Sequence, residues 1–161
     1  MQLRSATRDD SALILSLIRE LAEFEGLLHE VAADEATLAE HLFGAHPRAE
    51  VLIAEENGQT AGFALYFHNF STVLGKPGLY LEDLYIRPAF RGRGYGRSIM
   101  QQLARVAVER GCGRFEWWVL DWNRPAIEFY RSLGAQPMND WTVQRVSGDA
   151  LNALAGDPPG L

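Results

Sequence analysis

The stretch Arg91-Gly92-Arg93-Gly94-Tyr95-Gly96-Arg97 gathers the residue types that hold phosphate, with glycines that let a ligand approach the backbone and arginines that add positive charge. An apolar run, Leu79–Ile86, precedes it with an Arg87-Pro88 break, and Ile99, Leu103, Val106 and Ala107 follow at helical spacing. The loop therefore lies between a strand and the first turn of a helix, where free amides point at any anion placed there. A glycine-rich linker with solvated arginines is the plainer alternative, and the strand-loop-helix setting weighs against it. Spacing narrows the ligand. The segment lacks the Gly-Lys-Ser/Thr ending of a nucleotide-hydrolysing loop, and Gly96 follows Gly94 by two positions where a dinucleotide fingerprint needs three.

The second chemical feature is a pair of adjacent acids, Glu82 and Asp83, inside that apolar strand. Charged residues form strands poorly and are costly to bury alone, so the pair calls for a partner or a cleft. Strict alternation places Glu82 on the face of Tyr80, Leu84 and Ile86, with Asp83 opposite. One reading is an ion pair to a nearby arginine. The others are direct binding of a cationic substrate, or removal of a proton through a water. An alkyl amine with pKa ~10.4 is protonated at neutral pH, and a glutamate near ~4.3 needs burial or a relay to deprotonate it, so binding is the stronger of the two roles.

Other candidates carry less. His29, His41, His46 and His68 have no metal-ligand spacing with one another or with Cys112, so no metal is expected. Cys112 sits between Gly111 and Gly113 with no sequence sign of a base and reads as structural. Trp117 and Trp118 are consecutive, so in a strand one ring falls on each face, as core and as cleft lining rather than as a surface for stacking bases.

The elements that must position these groups follow from periodicity. Leu13, Ile14, Leu17, Ile18, Leu21 and Phe24 form one helical stripe after Thr7-Arg8-Asp9-Asp10, ended by Gly26, and a shorter helix is predicted over 34–43. Residues 50–56 and 60–68 flank Asn57-Gly58, a hairpin signal, and 71–78 read as a loop. A long helix from Gly94, a strand over 114–120, a helix over 125–132, a last strand over 141–146 and a helix over 148–155 complete the chain. This order predicts an α/β (α+β) fold with a mixed sheet and helices on both faces.

At 161 residues the chain fits one domain, read as residues 1–155 with a frayed tail over 156–161. Its net charge of −6 disfavours nucleic acid and anionic membrane as partners and favours cations. One cysteine, no signal-peptide pattern and no long apolar run predict a cytoplasmic protein outside the membrane.

Arg91-x-x-Gly94-x-Gly96 resembles the motif by which GCN5-related N-acetyltransferases hold the pyrophosphate of acetyl-CoA. The resemblance extends through Leu79-Tyr80-Leu81-Glu82-Asp83-Leu84-Tyr85-Ile86 and Trp122-Asn123-x-Pro125-Ala126-Ile127-x-Phe129-Tyr130. With Glu20-Leu21-Ala22-x-Phe24-Glu25 and Trp141-Thr142-Val143, the chain is similar to the diamine (spermidine/spermine) and thialysine N-acetyltransferase branch. The resemblance implies a mostly antiparallel central sheet, acetyl-CoA as donor, a small cationic amine as acceptor and a homodimer with its last strand near the interface.

It also implies site residues. The cofactor would lie along Leu84, Tyr85 and Ile86, on Arg91, Gly92, Arg93, Gly94, Tyr95, Gly96 and Arg97, and beside Asn123, Pro125 and Ala126. Tyr130 would be the general acid facing the CoA sulfur, and Glu82 the second catalytic group. Phe24, Glu25, Glu82, Asp83, Glu116, Trp117 and Trp118 would contact the acceptor, with Phe24 lacking the hydroxyl of the tyrosine in the diamine enzymes. An amino-acid acceptor would also need a cation for its carboxylate, for which Lys76 and Arg124 are candidates. The rival functions are acetylation of a protein lysine or N-terminus, and a noncatalytic acyl-CoA sensor.

Overall fold

The apolar stripe near the N-terminus determines where the first helix lies. In the computed structural model, which describes residues 1–156, Ile14 and Leu17 are fully buried within α1 (Ser11–Phe24). The chain enters α1 from β1 (Gln2–Ser5) through a tight turn, where the Asp10 carboxylate accepts from the Thr7 N–H at 2.7 Å. Next come α2 (Glu35–Phe43), β2 (Glu50–Glu56), β3 (Gln59–Ser71), β4 (Lys76–Ile86), α3 (Tyr95–Glu109) and β5 (Arg114–Trp117). Asn57 and Gly58 both take positive φ between β2 and β3, as the hairpin signal requires. Part of the expected 71–78 loop is strand, since β4 begins at Lys76.

The strands form one sheet in the order β1-β2-β3-β4-β5, antiparallel except for the parallel pair β4 and β5. α1 and α2 cover one face, where Ile14, Leu17 and Leu42 join Val51, Ile53, Phe63 and Tyr85 in the core. The crossover helix α3 covers the other, burying Ile99, Met100, Leu103 and Ala107 against the side that carries Leu79 and Leu81. The mixed, mostly antiparallel sheet with helices on both faces is the architecture expected.

Backbone contacts divide the chain into two compact units, Met1–Trp118 and the part from Val119 onward. The second unit contains α4 (Arg124–Ser132) and α5 (Gly148–Ala155). Two expectations need correction here. The strand predicted over 114–120 ends at Trp117, and no strand forms over 141–146, where Trp141, Val143 and Val146 are 79%, 55% and 49% exposed. Alternating apolar residues supply only the capacity for a strand, and a ladder partner is needed to realise it. The expected tail lies, beyond Gly156, outside the described residues.

Candidate active site

β4 carries the site's first element, and its register departs from simple alternation. Leu65 of β3 pairs with Asp83 and Tyr66 with Leu81, so Glu82 is the extra residue of a β-bulge. The predicted sharing of faces is thereby corrected. Asp83 lies with Tyr80 and Tyr85 on the face under α1, while Leu84 and Ile86 lie with Leu79 and Leu81 on the opposite face. Glu82 is exposed and Asp83 half-buried.

Acids converge on the α1 face. β5 pairs Glu116 with Tyr80, and the Trp118 ring meets Tyr80 edge-on at 5.9 Å. Phe67, opposite Tyr80 on β3, lies 5.0 Å from it. Burial and the charges of Glu82, Asp83 and Glu116 hold the Tyr80 hydroxyl well above its usual range. Burial pushes the Asp83 carboxyl up to about 7, and the charges of Glu82 and Glu25 push the same way. Among the described residues Asp83 makes no hydrogen bond or ion pair, so no cation offsets its desolvation. Trp117 pairs with Leu81 and packs on Phe115 at 4.9 Å, on the other face, so it does not join this group.

The end of α1 brings in Phe24 and Glu25. Gly26 at φ 75 closes the helix, and Arg87, just beyond β4, reaches back to Glu20 of α1 at 2.9 Å and to the Thr60 carbonyl at 3.3 Å. Strand end and helix end are thus tied together. Glu25 is half-buried, and its burial raises its pKa.

Beyond Arg87 the loop takes the form its glycines predict. Gly92 and Gly94 hold φ of 76 and 79, and Gly94 caps α3 at its N-terminus. A Cβ built at either position would meet nothing within 4 Å, so the glycines answer to backbone conformation and leave open space over the amides. The arginines differ in use. Arg91 lies over the rings of Phe24 and Tyr85, at 5.3 and 5.7 Å, and its Nε donates to the Ile86 carbonyl at 2.9 Å. Arg93 pairs with Glu56 at 2.5 Å, and the Tyr95 hydroxyl donates to the same carboxylate. Arg97 is exposed, without an ion pair among the described residues. Glu56 stands at the hairpin end, and no sequence signal marks it because its partners lie far along the chain.

One further feature suits an extended ligand. β5 pairs with β4 only as far as Leu81 and Trp117, so among the described residues no strand pairs with that edge over Glu82–Ile86. This stretch includes Leu84, Tyr85 and Ile86, and a free strand edge is a geometry along which an extended ligand can lie.

In the second unit, the Asn123 side chain caps α4, accepting from the Ala126 N–H at 3.4 Å, and Pro125 occupies the first turn. Tyr130 is half-buried beside Phe129, with ring centres 5.4 Å apart. The two candidate carboxylate partners fall in different places, Lys76 at the start of β4 and Arg124 at the start of α4. Among the described residues, no three or more His, Cys, Asp or Glu side chains are grouped to hold a metal ion.

The model of the acetyltransferase (GNAT) family matches residues 14–135. Thialysine N-epsilon-acetyltransferase of Mus musculus is 39% identical over 166 residues, spanning 96% of this chain and 97% of its own length. L-ornithine N5-acetyltransferase NATA1 of Arabidopsis thaliana is 31% identical, spanning 95% and 87%. Among solved structures, an integron cassette protein from the mobile metagenome of V. cholerae matches with a TM-score of 0.81 and 28% identity, over 97% of this chain and 98% of its own.

Proposed function

The chain belongs to the acetyltransferase (GNAT) family, and from that premise we propose that it moves the acetyl group of acetyl-CoA onto the primary amine of a small cationic acceptor. The acceptor is a diamine or polyamine, or a lysine-like amino acid such as thialysine. The observation that carries this reading is the cluster of Glu82, Asp83 and Glu116 around Tyr80, with Glu25 acting on Asp83, on the strand that leads into the open glycine cradle. The relatives named for thialysine and for L-ornithine support an amino-acid acceptor.

Acetyl-CoA supplies an activated thioester, and the residues present suit it. The amides at Gly92–Arg97, with Arg91, Arg93 and Arg97, receive the pyrophosphate, and the free edge of β4 at Leu84–Ile86 receives the pantetheine arm. We assign Asn123, Pro125 and Ala126, at the start of α4, to cofactor binding on the strength of the family resemblance. Glu82, with Glu25, Asp83 and Glu116, holds the ammonium, and Phe24 and Trp118 cover its methylenes; Trp117 supports β5 from the far face. The amine attacks the thioester directly, with no acyl-enzyme. Tyr130 is the general acid at the departing sulfur. A phenol of pKa ~10 is a weaker acid than a thiol of ~8.5, so full transfer is uphill by roughly 2 kcal/mol and hydrogen bonding to the thiolate is its main contribution.

We read residues 1–155 as one acetyltransferase domain, supported by a family match that runs across both compact units. We also propose a cytoplasmic homodimer. The exposed apolar residues Trp141, Val143 and Val146 support an interface over 141–146. Among the described residues no helix is long and apolar enough to cross a membrane.

The test is thiol release from acetyl-CoA with thialysine, lysine, ornithine, putrescine, spermidine, a lysine-containing peptide, or no amine. Release with a free amine above background is expected. Release with the peptide alone would favour a protein acetyltransferase, and binding of acetyl-CoA without any release would favour a sensor.

A further inference from the structure

Two adjacent acids on a regular strand would divide between its faces, and Glu82 would then stand beside Tyr80. The bulge reverses this. Glu82 becomes the unpaired, exposed residue, and Asp83 takes the place opposite Leu65, on the face of Tyr80 and Tyr85 beneath α1. Leu65 itself packs on the core cluster of that face.

The charged and titratable groups around Asp83 can be named element by element. β4 contributes Glu82, Tyr80 and Tyr85, the end of α1 contributes Glu25, and β5 contributes Glu116 across Tyr80. Arg91 lies over Tyr85, two residues along the strand, and its Nε is engaged by the Ile86 carbonyl. β3 presents only Leu65 opposite Asp83. The carboxylate is therefore surrounded by acids and apolar groups, with no hydrogen bond or ion pair among the described residues to stabilise its charge.

Taking the acetyltransferase reading as its basis, we propose that Asp83, not Glu82, accepts the proton from the acceptor's ammonium. Glu82 and Glu116 then bind the cation, and Asp83 alters its state. A carboxylate in its ordinary range is a poor base for an amine, whereas burial and the neighbouring acids raise Asp83 to about 7. In the step, one N–H bond of the ammonium breaks and its proton moves to an Asp83 oxygen, leaving the electron pair on nitrogen. That pair forms the C–N bond at the acetyl carbon while the C–S bond breaks and its electrons leave with sulfur. The nitrogen loses a second proton, the sulfur gains one, and Asp83 returns its proton to water. The sum is ammonium plus acetyl-CoA giving acetamide, CoA thiol and one proton.

The experiment has two readouts. Carboxyl titration by NMR of the labelled full chain, assigned by the resonance lost in Asp83→Asn, needs no turnover: a midpoint near 7 is expected. A midpoint in the ordinary carboxylate range overturns the proposal, whichever amine is or is not acetylated. The second readout is kcat/KM for the acceptor against pH. Asp83→Asn should lower it about 100-fold or more at neutral pH and shift the acid limb upward, towards the amine's own pKa of ~10.4. Glu82→Gln should raise the acceptor's KM and keep the wild-type inflection. Asp83→Glu, which keeps a carboxyl group, should retain an acid limb at a reduced rate. Loss of the inflection in Glu82→Gln with its retention in Asp83→Asn would overturn the assignment. Unchanged acetyl-CoA affinity in the variants shows that they fold. A wild type that transfers to no amine would instead count against the reading on which the proposal rests.

Discussion

The glycine loop and the acid cluster occupy neighbouring stretches of one region of the chain and hold charge by opposite means. At the loop, backbone amides and a helix start provide a fixed positive field, and one arginine is already balanced, Arg93 by Glu56. At the bulge the field comes from side chains, and among the described residues no cation pairs with Asp83, which has acids at the end of α1 and on β4 as neighbours. The difference teaches that the donor's site is a conformation and the acceptor's site a set of charges. Changes to backbone geometry should therefore damage the first, and neutralising substitutions the second.

Beyond Asp83, the largest effect expected is at Gly94. Valine there must adopt φ near 79, which costs a β-branched residue at least the roughly 1–2 kcal/mol of the left-handed region, so KM for acetyl-CoA should rise about 10-fold or more. Steady-state kinetics should find the acceptor's KM little altered, and an equal rise in both would break the comparison. Next is Glu116→Gln, which removes a charge beside Tyr80; a rise of about 3- to 10-fold in the acceptor's KM is expected from one partly exposed charge, with acetyl-CoA binding unchanged. Its dependence on ionic strength should weaken as well. The smallest effect belongs to Glu56→Gln. If the loop is held by its backbone, loss of the charge opposite Arg93 should alter acetyl-CoA affinity by no more than about 3-fold, as surface ion pairs are worth little, and calorimetry would measure it.

What the sequence made legible was local. The α1 stripe, the Asn57-Gly58 hairpin, the Gly94 start of α3 and the Pro125 start of α4 each rest on a few consecutive residues, and each formed. The resemblance to acetyltransferases rested on short contiguous motifs in the same way. The facing of Glu82 and Asp83 was not legible, because a bulge exists only relative to a partner strand. The unusual presence of two acids in an apolar strand was its one trace. Trp141–Val146 failed for the complementary reason, since its alternation has no ladder to join. Glu56 escaped because Arg93 and Tyr95 meet it across a distance in sequence that no local pattern records.

The unpaired edge of β4 over Glu82–Ile86 has a consequence for the life of the protein between turnovers. A row of backbone donors and acceptors without a partner strand is a template for any extended chain, including an unfolded neighbour. A donor molecule lying along that edge would act as a stopper as well as a reactant. Protein with that edge uncovered should then associate sooner than protein with the edge covered.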